Sequence, residues 1–274
     1  MNNYSNPKVM KTNPIFYILI LLLGLSACKK DDDTFFPAEL STLNASLTAS
    51  FDSLNVDLAN SVSFLKTRIS DTVAIRTEMQ QLFSRTSFSI EYAYINPQGI
   101  MQIIEPPVYY PTQGTDISQQ DHIIKAFQTR LPVLSNTFYA VENFYAAVDI
   151  HPIVNNDELL GGITALFLPE TILDRWISPL VKNQSFEIWV MEKGGKVLYD
   201  QDSDEIGKNI FTDPVYAEFP ELIAAAEKID AQTTGETTYS FYQTGTTNKV
   251  SKKTYWSTFS MYGTEWKLVW VKPE

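Results

Sequence analysis

The chain has 274 residues, of which 44% are hydrophobic, 13% aromatic and 19% charged, a balance that fills a core and does not suit a disordered chain. Its 21 Lys and Arg against 32 Asp and Glu give a net charge of −11. That sign disfavours a nucleic-acid groove, because phosphate recognition needs a local excess of Lys and Arg. With one cysteine there is no intramolecular disulfide, no cysteine zinc cluster and no dithiol redox pair.

Residues 1–27 open with a polar stretch carrying Lys8 and Lys11, continue through the apolar run Ile15 to Leu25, and end in Ser26-Ala27 before Cys28. The run is about half of the roughly 20 residues a membrane-spanning helix needs, and small residues follow it as a cleavage site requires. Residues 1–27 therefore read as an export signal. Leu25-Ser26-Ala27-Cys28 resembles the lipobox of bacterial lipoproteins, which implies a lipid on the Cys28 thiol and an outer-membrane location on the periplasmic or cell-surface side. Residues 28–37, with Lys29-Lys30-Asp31-Asp32-Asp33, cannot pack and read as a solvated tether.

From Ala38 to Ile95 there is neither Gly nor Pro, and Leu40, Leu43, Leu47, Phe51, Leu54, Leu58, Val62, Leu65, Ile69 and Val73 recur at spacings of three and four. The pattern predicts one long amphipathic helix over residues 38–85, with Pro37 at its start. Such a rod lies along more than one globular unit or forms a free coiled coil. The period changes to two at Phe88, Ile90, Tyr92 and Tyr94, and Asn96-Pro97-Gln98-Gly99 turns the chain into Ile100–Ile104, a hairpin signal. A Pro-rich loop leads to a helix capped near Asp116 or Ser118. Strands are then expected at 137–142, 144–154 and 160–168, with Asn155-Asn156-Asp157 as a turn.

The order then repeats. A helix opens at Pro169, a hairpin turns at Lys193-Gly194-Gly195, a helix covers Glu221–Ile229, and three strands follow at 235–242, 249–260 and 266–271. The predicted class is α+β, with two tandem units, residues 86–168 and 169–274, each an antiparallel sheet with flanking helices.

The inter-unit strand and helix Gly161–Ile172 lead into the second unit, which carries the hairpin Phe186–Tyr199, the step Ile206-Gly207-Lys208-Asn209, and the closing Tyr255-Trp256-Ser257 and Trp266–Trp270. These segments resemble the double Cache (dCache) family of extracytoplasmic sensor domains, two PAS-like units stacked on a long helix. The resemblance implies that the membrane-distal unit, residues 86–168, binds a small molecule. The family's amino-acid clamp, an Arg with an aromatic pair plus an Asp, is altered here: Arg130 is followed by Leu131-Pro132-Val133, and Leu166 stands at the Asp position. An α-amino-acid ligand is not expected. The chain stops after Trp270-Val271-Lys272-Pro273-Glu274, so the expectation is a sensor-type protein that works through a separate signalling or transport partner.

Candidate ligand-binding residues are Tyr92, Tyr94, Tyr109, Phe127, Arg130, Tyr139, Tyr145, Asp149 and His151. Tyrosine offers an apolar body and a polar tip, though such residues serve equally as plain core. Asp149 and His151 share one strand face by the period of two, which also suits a structural pair. Catalytic material is thin: only His122 and His151 could serve as imidazole bases, and no Gly-x-Ser-x-Gly elbow, phosphate-cradling loop or His-Glu-x-x-His helix occurs. No enzyme activity, cofactor or metal is expected. Asp200-Gln201-Asp202-Ser203-Asp204 imitates a calcium loop, but Glu205 stands where Gly is needed. The alternative function is a structural or adhesive surface lipoprotein that holds proteins or glycans on an exposed face.

Overall fold

The computed structural model describes Met1 and residues 35–274, and Phe36–Glu274 forms one compact unit. The expected signal segment, the lipidation site Cys28 and most of the tether lie outside the described residues. Helix α1 (Ala38–Leu65) follows Pro37 and buries Leu40, Leu43, Leu47, Phe51, Leu54, Leu58 and Leu65, the stripe read from the sequence.

The expected single helix over 38–85 is corrected. The chain turns through residues 66–71 and restarts as α2 (Thr72–Arg85). Asp71 is the reason: its Oδ1 accepts hydrogen bonds from the backbone N–H of Val73 and Ala74 at 3.1 and 3.0 Å, capping a new helix. The stripe changes with it. Val73 is exposed, while Ile75, Met79 and Leu82 face inward. Ser61 Oγ donates to Glu78 Oε1 at 2.5 Å and pins the two helices together where both are buried. At about 1.5 Å per residue, α1 is roughly 42 Å long over its 28 residues.

The first sheet contains β1 (Ser89–Ile95), β2 (Met101–Glu105), β3 (Val133–Leu134), β4 (Phe138–Tyr139), β5 (Tyr145–Asn155) and β6 (Glu158–Phe167), in the order β2-β1-β6-β5-β3 with β4 paired to β5. Asn96 Oδ1 accepts from the N–H of Gln98 and Ile100 to shape the first hairpin. Gly99 completes that hairpin at φ +82, where a Cβ would lie 2.5 Å from Ser118, so no side chain fits. Between β2 and β5 the chain forms a cover: a 3-10 turn at Pro107–Thr112, α3 (Asp121–Thr129), and the short β3 and β4.

After α4 (Pro169–Val181), the second sheet contains β7 (Glu187–Glu192), β8 (Val197–Tyr199), β9 (Gly235–Tyr242), β10 (Lys249–Met261) and β11 (Thr264–Pro273), with α5 (Pro220–Ala231) before β9. Its order, β8-β7-β11-β10-β9, repeats the first sheet's path strand for strand. The fold is the α+β arrangement of two antiparallel sheets against a long helix.

One ring on helix α1 touches both units. Phe51 lies 5.6 and 5.5 Å from Phe88 and Phe167 of the first unit, and 5.4 and 5.7 Å from Phe259 and Trp266 of the second. Three of these contacts are edge-on and the one to Phe259 is tilted, geometries that add to what burial contributes.

Candidate ligand-binding site

The first sheet is buried on both faces. One faces α1: Tyr92, Tyr94, Ala147, Ile163 and Phe167 belong to the large core that holds Phe51. The other lies under the cover, where Ala93, Ile95, Met101 and Ile150 pack with Ile117, Ile123 and Ala126.

This division separates the residues singled out from the sequence. Tyr92 and Tyr94 face the helix, the Tyr94 hydroxyl donating to Leu160 O at 2.8 Å. Asp149 and His151 lie 3.4 Å apart, and His151 Nε2 is 3.1 Å from Asn55 Oδ1 on α1. Asp149 is fully buried, which pushes its carboxyl up against the opposing pull of His151. Tyr109 and Phe127 pack at the edge of the cluster under the cover. Arg130 sits outside it: in the left-handed conformation at the end of α3, it is exposed and donates to the Asp157 carbonyl. Tyr139 and Tyr145 are 58% and 60% exposed, with ring centroids 5.3 Å apart. The nine residues therefore occupy four places, and only Tyr109 and Phe127 stand near the distal interior.

The interior itself is lined by Glu91, Met101 and Leu166 from the sheet and by His122, Phe138 and Glu142 from the cover, and its cavity is about 20 Å³. That is room for about one water. The roomy hollow implied by the resemblance is closed in this conformation by Met101, Phe138, Val141 and Leu166.

What remains inside is polar. Glu91 is 2% exposed, and neither its Oε2 nor Glu142 Oε1 receives a hydrogen bond from another donor. Burial first, and then the neighbouring Glu142 carboxylate, raise the Glu91 carboxyl to about 9. A proton shared between the two acids satisfies both at neutral pH. His122, its ring 4.6 Å from Phe138, is pushed down to about 4 by burial and is neutral there.

Sequence reasoning missed Glu91 and Glu142 because it gave β1 one buried face. The signal was present: Ala93 and Ile95 alternate with Glu91 on the opposite face from Tyr92 and Tyr94, so the glutamate belonged to a second buried face.

Residues 49–169 match the family of HK/GC/chemotaxis protein-like sensor domains. No curated protein matches the chain at a significant level. Among solved structures, an extracellular ligand-binding receptor from Desulfohalobium retbaense DSM5692 is 26% identical at a TM-score of 0.73, the match covering 88% of this chain and 40% of that one. The ligand-binding domain of the Pseudomonas aeruginosa PAO1 amino-acid chemoreceptor PctC, solved with GABA, is 15% identical at 0.62, covering 85% of this chain and 96% of that one. The periplasmic sensory domain of a Campylobacter jejuni chemoreceptor is 11% identical at 0.62, covering 86% and 93%. The chain spans 40% of the length of the Desulfohalobium receptor. It has the fold of Cache-type extracellular sensor domains, and residues 49–169 carry the sensor-domain match. No helix among the described residues is long and apolar enough to cross a membrane.

Proposed function

We propose that the chain is a lipid-anchored, extracytoplasmic small-molecule-binding protein of the sensor type. It is held in the outer membrane through Cys28, takes its ligand in the distal unit and acts through a separate partner. The observation that carries this reading is the Glu91–Glu142 acid pair sealed between sheet and cover. An unmade buried hydrogen bond costs about 1–3 kcal/mol, and perturbed carboxyls under a cover cluster at binding sites.

Glu91 stands on the sheet, and Glu142 and His122 on the cover. A guest that donates hydrogen bonds to both acids replaces the shared proton and resets the cover against the sheet. Since the closed cavity holds about one water, the cover moves outward to admit it. The cover also touches the second unit: Thr137 donates from N and Oγ1 to Glu192 at 2.8 Å each, and Thr264 Oγ1 donates to Leu134 O at 2.5 Å. These contacts are the route by which occupancy reaches the second unit. No arginine lines the interior, so an α-carboxylate finds no guanidinium there and the guest is a donor-bearing molecule.

A thermal-shift screen of the full chain against donor-bearing metabolites tests the site. A ligand at 100 times its Kd stabilises by about 2.7 kcal/mol, and the expected hit loses that effect in Glu142→Gln. A complete absence of hits, or hits indifferent to both Glu91→Gln and Glu142→Gln, contradicts the distal site. The anchor is tested by labelled palmitate, which enters the wild-type chain and is absent from Cys28→Ser.

One observation favours a second reading. The interior is closed while Tyr139 and Tyr145 form an exposed aromatic pair, with Lys196 Nζ 4.6 Å from the Tyr145 ring centroid. An adhesive protein using that face would lose glycan or protein binding in a Tyr139→Ala/Tyr145→Ala variant and keep its thermal-shift profile.

A further inference from the structure

The second unit holds a cleft of about 590 Å³, within the range of small-molecule sites. It lies between β7, β8, β9 and the loop after β8, and the β9–β10 turn at Gln243–Asn248 forms part of its wall.

Its charges do not balance. Glu187, Asp200, Asp202 and Glu205 face a single lysine, Lys252. Lys252 Nζ is committed to Glu187 Oε2 at 3.2 Å, and Glu205 is held by Lys208 at 3.2 Å and by the Tyr216 hydroxyl. Asp200 and Asp202 have no cation within ion-pair distance among the described residues. Their side chains accept only from the backbone N–H of Asp202 and Asp204, at 2.9 and 3.1 Å. Asp200 is half-buried and is raised to about 7, chiefly by desolvation, with Glu187 and Glu205 adding to it and the Asp202 N–H and Lys252 opposing.

The remaining wall is aromatic, with Tyr239, Phe241 and Tyr242 beside Trp189. Two of these rings already carry ammonium groups on one side: Lys252 Nζ is 5.9 Å from the Phe241 centroid, and Lys249 Nζ 5.8 Å from that of Tyr242. Trp189, 7% exposed, holds its buried Nε1–H beside the Tyr239 hydroxyl, outside strict hydrogen-bond geometry. The carboxylates do not converge as a metal site, since no cluster of three metal-ligating side chains occurs among the described residues.

We propose that this cavity is a second binding site, for a small organic cation whose ammonium lies against Asp200 and Asp202 and whose body lies on the Tyr239, Phe241 and Tyr242 rings. The site is independent of the distal unit and stands or falls separately from it.

The test is calorimetric titration of the full chain, above the Asp200 titration, with methylammonium, butane-1,4-diammonium and phenethylammonium. The methyl resonances of Ile188 and Ile210, both in the cavity wall, report where each probe binds. At least one probe is expected to saturate and to move those methyls, with phenethyl alcohol binding at least about tenfold more weakly than its ammonium counterpart. Asp200→Asn, which keeps an acceptor for Asp202 N–H, is expected to weaken the ammonium probe about tenfold, and the distal variant Glu91→Gln to leave it unchanged. Failure of all three probes to saturate, equal binding by the alcohol, or unchanged affinity in Asp200→Asn overturns the proposal. A response confined to the Met101 and Ile117 methyls overturns it too and points to the distal unit instead.

Discussion

The two units follow one strand path but differ in what they enclose. Under its cover the first seals two acids into a space of about 20 Å³ and keeps a separate cleft of about 510 Å³ along α3, β3 and β4, whereas the second keeps about 590 Å³ open beside Asp200 and Asp202, which have no ion partner among the described residues. Topology therefore fixes where an interior can lie, and side-chain volume decides whether it stays open. Met101, Phe138 and Leu166 fill the first interior, while the second unit's rings stand along one wall and leave the space between them and Asp200 empty.

The strongest way to break this comparison is to remove what the units share. Phe51→Ala deletes the ring that touches four aromatic neighbours from both sheets, at an expected cost of about 3–5 kcal/mol. Urea unfolding is expected to keep a single transition at a lower midpoint. Two separated transitions would show that Phe51 alone couples the units and that the rest of α1 does not.

The acid pair gives the next effect. Glu91 moves from 4.5 to about 9 on folding, so the folded state holds the extra proton between those values, and stability falls as pH rises through that window. Burial shifts His122 the other way, from 6.5 to about 4, so its contribution partly offsets that of Glu91 within that range. Asp200, raised from 3.8 to about 7, adds a decline that ends near its folded value. Glu91→Gln is expected to flatten the decline up to about 9 and to stabilise the alkaline end by about 1–3 kcal/mol, as its amide donates to Glu142. Asp200→Asn should flatten only the part below about 7. Identical pH profiles for wild type and Glu91→Gln would mean that the distal acids are solvated.

Asp71→Ala removes the cap that starts α2, at about 1 kcal/mol, and is expected to fray residues 72–74 in amide exchange while α1 stays protected. Tyr145→Ala sits at the small end, within about 0.5 kcal/mol, because the ring is mostly exposed; a larger loss would make the Tyr139–Tyr145 pair structural.

Much of this architecture was legible in the sequence, and the failures share a cause. The stripe from Leu40 to Leu65 specified α1, and alternation with Asn96–Gly99 specified the first hairpin. The stripe through Ile69 and Val73 looked continuous because a periodicity of three and four survives a break, whereas the cap depends on Asp71 alone. For the site, aromatic residues were weighted over carboxylates. Tyr92 and Tyr94 stood as pocket candidates while their face meets α1, and Glu91, whose face meets a cover, was not among the candidates. Strand periodicity assigns residues to faces without saying which neighbour covers each face. The Asp200–Glu205 segment looked like a solvated turn because the partners that make it a cavity wall, Trp189 and Tyr239 to Tyr242, come from distant strands.

The central claim, that this fold takes a small guest into its interior, is tested most directly by methyl NMR of the full chain against a broad metabolite library. Met101 and Ile117 report the distal interior, Ile188 and Ile210 the second cavity. The account predicts compounds that shift one set and not the other, with the distal response lost in Glu142→Gln and the second lost in Asp200→Asn. A library in which no compound moves either set, while Tyr139 and Tyr145 respond to glycans or proteins, would contradict it.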